Sequence, residues 1–245
     1  MITFEVCANS VASAMAAQKG GANRVELCDN LSEGGTTPSW GQIAIARKLL
    51  TIPLYVLIRP RGGDFLYTDQ EFEIMKADIR QCVQMQCDGV VFGILTSTGQ
   101  VDIKRCRELL DLAQPLPATF HRAFDVCADP FQALEDIIHL GFARILTSGK
   151  ESNAPVGANL IKQLVNKAQN RISIMPGSGI NEQNLKILLQ NTDVREFHAS
   201  VQTQVLSSMQ YHNPKVAMGS NAAEYTINQT DSKRVSAMVA IADQL

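Results

Sequence analysis

The amino-acid sequence predicts an α/β protein: a (β/α)8 barrel of the TIM type, with all 245 residues in a single domain. Three observations lead to this prediction. Short runs rich in β-branched residues alternate eight times with longer amphipathic stretches, which is typical of a parallel sheet. No linker divides the chain, and its length is common for one barrel. An open doubly wound sheet would usually show fewer strands and a GxGxxG motif after the first, and neither is present.

Each predicted unit begins with a strand and continues with a helix. The strands are predicted at residues 2–7, 23–28, 53–59, 89–94, 117–121, 143–148, 172–176 and 194–198. The helices are predicted near residues 10–19, 39–49, 69–86, 101–113, 130–140, 157–169, 182–190 and 231–243. Asp129 followed by Pro130 is typical of a helix start, and Gly141 is typical of a helix end.

One segment, residues 199–230, breaks the regular alternation and is predicted to be irregular. Structureless stretches of this length inside a compact domain are uncommon, and they often form a lid or an interface or are disordered. Because the segment follows the eighth strand, we expect it to begin on the face where the strands end.

Composition restricts the class of protein. The formal net charge is −2 and no basic stripe is present, so a nucleic-acid partner is not expected. No apolar run approaches the ~20 residues of a membrane span, and Glu5 lies where a signal peptide would be apolar. We therefore expect a cytoplasmic protein without a membrane partner. None of the six cysteines shows the CxxC spacing of a structural zinc site.

Polar residues alternate with apolar ones near the ends of several predicted strands. Side chains alternate along a strand, and one parity of a barrel strand faces the interior. Active sites of such barrels lie at the carboxyl ends of the strands. The structural alternative is a paired interior network that only fills the barrel; we favour a ligand or reaction site, because apolar residues stabilise a core at lower cost. The candidate catalytic residues are Glu5, Glu26, Arg59, His121 and His198.

The stretch "TFHRAFD" at residues 119–125 gives the most specific orientation. His121 is predicted to face the barrel mouth, within reach of Arg59 or one of the two glutamates. Phe120 has the opposite parity and is predicted to face the helices. Arg122 shares the parity of Phe120, so we expect it to leave the central cluster and to pair with a loop carboxylate such as Asp125.

Four glycine-rich loops follow strands and therefore lie on the same face: "EGGTTPS", "RPRGGDF", "TSGK" and "PGSGIN". Such loops present backbone N–H groups beside helix starts, which favours anion binding. Each single loop is also compatible with a plain tight turn. The candidate anion-binding residues are Arg61, Ser148, Gly149, Gly177, Ser178 and Gly179.

Six sequence blocks occur in a fixed order: "VELC", "EGGTTPS", "IRPRGGDF", "TFHRAFD", "RILTSG" and "IMPGSGI". In order and spacing they resemble the CutC family of copper-homeostasis proteins, from about residue 2 to residue 200. Thr36 and Ser178 depart from the residues expected of the family, a bulkier apolar residue and a glycine. The resemblance implies a (β/α)8 barrel, a cytosolic homo-oligomer (a dimer or tetramer) and a role in copper handling.

Two functional hypotheses remain open from the sequence. The first is copper binding. Cu(I) favours soft thiolate ligands, and Cys7 and Cys28 share parity and level on neighbouring predicted strands. We expect their sulfur atoms to approach each other, with His121 or His198 as a third ligand. The alternative interpretation is that both cysteines are compact apolar fillers of the core.

The second hypothesis is an enzyme of the isomerase or lyase type that acts on a small anionic metabolite. Glu26 or Glu5 would be the general base and His121 the general acid. A divalent metal on the carboxylates and His198 is compatible with this chemistry. A Schiff-base aldolase is excluded, because no predicted strand carries the inward lysine that such an enzyme needs.

Overall fold

The computed structural model describes residues 2–213, 215–216 and 224–245. Eight parallel strands form one sheet in the order β7-β6-β5-β4-β3-β2-β1-β8, so each strand lies beside its sequence neighbour. A parallel bridge between Gly177 and His198 joins the ends of β7 and β8 and closes the barrel there. The predicted (β/α)8 barrel is confirmed.

The strands and helices follow one another as predicted. The barrel strands are β1 Thr3–Ala8, β2 Arg24–Leu27, β3 Leu54–Leu57, β4 Gly89–Phe92, β5 Ala118–Phe120, β6 Arg144–Thr147, β7 Ser173–Pro176 and β8 Glu196–Ala199. The helices are α1 Val11–Lys19, α2 Trp40–Leu49, α3 Asp69–Gln84, α4 Ile103–Ala113, α5 Pro130–Leu140, α6 Ala158–Ala168, α7 Leu185–Thr192 and α8 Ser232–Ala242. Short 3-10 turns span Leu31–Glu33 and Arg122–Val126.

The segment predicted to be irregular, residues 199–230, contains regular structure at both ends. Gln202–Leu206 (β9) and Thr226–Thr230 (β10) pair as antiparallel strands, with Ile227 opposite Val205. Their pairing was missed because the two strands are far apart in sequence. The part of the prediction that covers residues 214 and 217–223 lies outside the described residues.

Strand parity sorts the apolar core into two clusters. The large cluster lies between strands and helices, where Phe4 stacks on Phe197 with ring centroids 4.4 Å apart. Phe120 belongs to it and packs edge-on against Phe142 at 5.3 Å, facing the helices as its parity predicts. A small cluster lies inside the barrel, and its members are Cys7, Cys28, Tyr55, Leu57 and Val91.

Helix boundaries agree with local capping chemistry. The hydroxyl of Thr68 accepts from the backbone N–H of Glu71, whose carboxylate accepts from the N–H of Thr68, so α3 begins with a capping box. The seventh helix begins later than predicted, at Leu185, because the chain first makes a turn in which the side chain of Asn181 accepts from the N–H of Gln183. Among the described residues, no helix has the length and apolar character needed to cross a membrane.

Candidate functional site

Arginine and glutamate side chains form a buried layer at the amino ends of the strands. Arg24 donates to Glu5 and, over 2.6 Å, to Glu196. Arg144 donates to the same Glu196 oxygen over 3.1 Å. Both guanidinium groups lie over the ring of Tyr55, 4.9 and 5.0 Å from its centre. The positive and negative charges within this layer compensate one another, and the layer forms the floor of the barrel mouth.

Two carboxylates and one imidazole stand above this floor. His198 Nδ1 lies 2.8 Å from Glu5 Oε1, and His198 Nε2 lies 3.7 Å from Glu26 Oε2. Burial alone would raise the pKa of Glu5, but Arg24 and His198 outweigh it and hold this pKa at about 2. Burial raises the pKa of Glu26. His198 therefore bridges one carboxylate of low pKa and one of raised pKa.

The pKa of His198 follows from the same neighbours. Burial alone would lower it, but the carboxylate of Glu26 and the hydrogen bonds to Cys7 and Glu5 raise the pKa well above its usual value. A buried imidazolium is stabilised between the two glutamates because the opposite charges compensate each other.

The two cysteines predicted as metal ligands lie side by side. Cys7 Sγ and Cys28 Sγ are 3.5 Å apart, and both side chains are buried. Their backbones are not direct register partners: Cys7 lies opposite Glu26, and Cys28 follows the end of β2, where its N–H donates to Ala8 O over 2.9 Å. The hydrogen bond with Cys28 and burial raise the pKa of the Cys7 thiol.

The donor atoms needed for a metal ion meet at this place. Three potential metal ligands, one atom each from Cys7, Glu26 and His198, lie within 4.8 Å of one another. The Sγ atom of Cys28 lies next to this group, 3.5 Å from Cys7 Sγ. A set with two thiols and an imidazole fits Cu(I), which prefers soft ligands. The residues present are therefore suited to the metal that the sequence resemblance implies.

A cavity of about 670 Å³ opens at the carboxyl ends of the strands. Its lining joins residues that are far apart in sequence, including several of the predicted site residues. Those predicted residues are Cys7, Glu26, Arg59, His121, Ser178, Gly179 and His198. Glu5 and Cys28 lie behind this wall, in contact with His198 and Cys7.

Arg59 is a buried cation held by backbone carbonyl groups. Its Nη1 donates to Glu33 O at 2.7 Å and to Gly35 O at 2.6 Å, and its Nη2 donates to Gly63 O at 2.8 Å. Its guanidinium lies 5.0 Å from the centre of the Phe65 ring. The Nε atom is buried and has no hydrogen-bond partner in the described part of the chain.

His121 lines the same cavity and is kept neutral. Its Nδ1 accepts from the backbone N–H of Ala123 over 3.2 Å, and its ring packs on Phe65 with centroids 4.9 Å apart. Burial, and then the positive charge of Arg59, lower the pKa of His121 to about 3. Its Nε2 atom makes no hydrogen bond to any described residue; the prediction that it lies within direct or water-bridged reach of Glu5, Glu26 or Arg59 stays a prediction.

The "TSGK" loop is occupied by the protein's own carboxylate. Asp125 accepts from Thr147 Oγ1 at 2.5 Å, from Ser148 N at 3.0 Å and from Lys150 N at 3.3 Å. Arg122 Nε completes the cluster by donating to Asp125 at 2.7 Å, which is the partner expected from the sequence. Ser148 and Gly149 were predicted to bind an external anion. They belong to a loop whose donors bind the carboxylate of Asp125 instead.

Two other predicted anion residues lie away from the cavity wall. Arg61 donates to Asp64 at 2.9 Å and to Glu71 at 2.6 Å, and its side chain is 37% exposed. Gly177 makes the bridge to His198, and a Cβ atom at this position would lie 2.6 Å from the side chain of Leu146. The charge of Arg61 is therefore already compensated, and Gly177 allows a close approach inside the barrel.

The "PGSGIN" loop retains free backbone donors. Ser178 and Gly179 have φ angles of 80° and 70° and both line the cavity. Among the described residues, the N–H groups of Ser178, Gly179 and Ile180 have no acceptor. Consecutive N–H groups of this kind form an anion-binding concavity.

Some residues of the site were not predicted. The floor residues Arg24, Arg144 and Glu196 have the inward parity of their strands, and applying the alternation at the strand starts would have found them. Phe65 lines the cavity from a loop and Gln202 lines it from the first position of β9, a strand that the sequence did not predict.

Comparison with known proteins agrees with the fold and the motifs. The model of the CutC family matches residues 2–203. A human protein named copper homeostasis protein cutC homolog is 49% identical over 244 residues, which cover 99% of this chain and 89% of that protein. A CutC family protein of Bacteroides fragilis is 50% identical over 235 residues, covering 95% of this chain and 94% of that protein.

A solved structure shows the same likeness. The crystal structure of CutC from Streptococcus agalactiae has a TM-score of 0.78 and 41% sequence identity with this chain. The match covers 82% of this chain and 99% of the streptococcal chain.

Proposed function

This chain belongs to the CutC family, and from that membership and the geometry of its paired thiols we propose that it binds copper as Cu(I) in the barrel mouth. Cys7 and Cys28 are the proposed ligands, and His198 is the proposed third ligand, whose imidazolium would release a proton when the metal binds. The relatives named as copper homeostasis proteins supply the link to copper. The observation that carries the proposal is the 3.5 Å separation of the two buried sulfur atoms.

Three features support a soft-metal site here. The two sulfur atoms are close enough for one ion to contact both after a small adjustment. Burial keeps water away from them, since Cys7 and Cys28 are 6% and 0% exposed. Glu26 stands beside His198 and compensates positive charge.

Titration of the reduced protein with Cu(I) under anaerobic conditions tests the proposal, with bicinchoninate as the competing chelator. We expect a single tightly bound equivalent for the unsubstituted protein and loss of that equivalent in Cys28→Ser. Cys106→Ser is the matched control, because Cys106 is buried on α4 in the outer core, away from the cavity. Full Cu(I) binding by Cys28→Ser would reject the site.

A second candidate function is acid–base catalysis on a small anionic metabolite. It is supported by one observation: neutral His121 and the carboxyl group of Glu26, whose pKa is raised, line the same cavity. Deuterium exchange from D2O into small keto acids and sugar phosphates, followed by NMR, tests this candidate. Exchange that persists in Glu26→Gln would remove Glu26 as the base.

We also propose that the protein forms a homo-oligomer through the β9–β10 hairpin. Val205 and Ile227 are register partners, 41% and 57% exposed, and the adjacent Leu206 is 81% exposed. Neighbouring exposed apolar side chains of this kind are typical of an interface. Light scattering after size-exclusion chromatography should show dissociation in Ile227→Asp. Ile187→Asp, on exposed α7, should leave the assembly intact.

A further inference from the structure

Several residues that line the cavity carry buried polar atoms without a hydrogen-bond partner in the described part of the chain. Among the described residues, four buried side-chain polar atoms have no hydrogen-bond partner: Arg59 Nε, Tyr67 Oη, His121 Nε2 and Gln202 Nε2. Arg59, His121 and Gln202 all line the cavity at the carboxyl ends of the strands. Buried polar groups are nearly always paired, so a cluster of unpaired ones calls for an explanation.

The three unpaired atoms of these lining residues are all donors. The Nε of an arginine and the amide nitrogen of a glutamine carry hydrogen and cannot accept. His121 accepts from Ala123 N–H with its Nδ1, and its low pKa keeps the ring neutral, so the single ring proton is on Nε2. Each of these three donors therefore requires a hydrogen-bond acceptor.

The loop after β7 carries a second group of donors. The N–H groups of Ser178, Gly179 and Ile180 are free of partners within the described ranges, and all three residues line the cavity. Gly179 cannot be replaced without strain: its φ is +70° and a Cβ atom there would lie 2.7 Å from Asn153. The residues that line the cavity therefore carry both side-chain donors and backbone donors.

Of the three arginines that line the cavity, Arg59 makes no ion pair with a described carboxylate. Arg122 pairs with Asp125, and Arg234 pairs with Glu182 at 2.7 Å. Arg59 contacts carbonyl groups and makes no ion pair with a described residue. A buried unpaired guanidinium favours a negatively charged ligand.

We propose that this cavity binds a small organic oxyanion, either a phosphate ester or a carboxylate. Its acceptor oxygens meet the side chains of Arg59, His121 and Gln202 and the N–H groups of residues 178–180, all of which belong to residues that line the cavity. A volume of about 670 Å³ is that of a metabolite pocket and is far larger than a single metal ion requires. The proposal does not depend on copper, since the thiols of Cys7 and Cys28 take no part in it.

Isothermal titration calorimetry with four probes tests this site: inorganic phosphate, glycerol 3-phosphate, malonate and uncharged glycerol. We expect saturable binding of glycerol 3-phosphate or of malonate and none of glycerol. Binding of the ester alone assigns a phosphate ligand, and binding of malonate alone assigns a carboxylate. Failure of all three anions to bind overturns the proposal and leaves ordered water as the partner of these donors.

Two variants locate the binding site. Gln202→Leu, on the rim of the cavity, should weaken the anion about tenfold, because a hydrogen bond to a charged group is lost. Arg59→Met should abolish binding. Arg61→Met is the control and should retain full affinity, since Arg61 is already paired outside the cavity. Unchanged affinity in both Gln202→Leu and Arg59→Met would place the anion elsewhere and overturn the proposal.

The same experiment separates this inference from copper binding. Cys28→Ser should bind the anion as well as the unsubstituted protein does. Gln202→Leu should still bind Cu(I) in the bicinchoninate competition. Loss of anion binding in Cys28→Ser would show that the two ligands share one site, which contradicts the separate contacts proposed here.

Discussion

The carboxylate of Asp125 accepts hydrogen bonds from both the backbone N–H and the hydroxyl group of Ser148, over 3.0 and 2.9 Å. This contact joins the loop after β5 to the loop after β6 and fills the second loop with an internal anion. Arg122 adds the balancing charge. The cluster thus holds one rim of the cavity in place.

Asp125→Ala should therefore lower the free energy of unfolding by about 3 kcal/mol, because it leaves several buried donors without an acceptor. Urea unfolding measures this change. Asp129→Ala is the control: Asp129 only caps α5 by accepting from Phe131 N and Gln132 N, so its loss should cost about 1 kcal/mol. Equal costs for the two variants would show that the Asp125 cluster is not a structural anchor.

Arg24 and Arg61 each pair with two carboxylates but differ in burial, with side chains 8% and 37% exposed. Arg24→Met should lower the free energy of unfolding by about 3–5 kcal/mol, since it leaves Glu5 and Glu196 charged inside the barrel. Arg61→Met should cost about 1 kcal/mol or less, because water screens the exposed pair. Similar costs would mean that the floor of the barrel is more hydrated than its burial indicates.

Stability should depend on pH through His121. The group that faces it with charge is Arg59, and aromatic rings of Phe65 and Phe120 flank it. Its pKa is about 3 in the folded protein and ~6.5 in an unfolded chain. Between these values the unfolded chain binds more protons, so acidification lowers the free energy of unfolding by about 1.4 kcal/mol per pH unit.

The His121→Gln variant isolates this effect, because glutamine does not titrate. The free energy of unfolding of the unsubstituted protein, minus that of the variant, should fall by about 2 kcal/mol from about pH 7.5 to about pH 5. Urea titrations at both pH values give this difference. A difference that is independent of pH would mean that His121 is protonated equally in both states.

Alanine substitutions at Gly157 and Gly141 compare the cost of a steric clash with the cost of backbone strain. A Cβ atom on Gly157 would lie 1.9 Å from the backbone oxygen of Ser148, whereas one on Gly141 would have no atom within 4 Å. Gly157→Ala should therefore cost about 3 kcal/mol of unfolding free energy and displace the loop after β6. Gly141→Ala, at a φ of +91°, should cost about 1–2 kcal/mol from strain alone. A mild effect at Gly157 would show that α6 can move away from the loop.

Strand alternation was enough to identify part of the candidate site. The inward positions of Glu26, His121 and His198 follow from a period of two residues, which is a local property of each strand. The same rule separates Phe120 from His121. It did not indicate that His121 would remain without a side-chain partner, because the ring of Phe65 from another loop packs against it.

The loops show the opposite case. Glycine patterns predicted "TSGK" and "PGSGIN" equally as anion loops. The donors of the first loop bind Asp125, whereas the N–H groups of residues 178–180 in the second have no acceptor in the described part of the chain. The difference comes from the turn Arg122–Val126, which carries Asp125 to the neighbouring loop. No pattern within either loop contains that information.

The sequence by itself determined the order of strands and helices, the closed barrel and the face of each strand that points inward, because these follow from short periodic patterns and chain connectivity. The approach of Cys7 to Cys28 was also expected from the sequence. Only the tertiary structure decided which inward charged groups compensate one another: Glu5 pairs with Arg24 and His198, whereas Arg59 donates to carbonyl groups. The physical reason is the different range, along the chain, of sequence patterns and of spatial contacts. Periodicity acts over a few residues, whereas hydrogen bonds and ion pairs form only within about 4 Å, and barrel closure alone brings residues nearly two hundred positions apart to that distance.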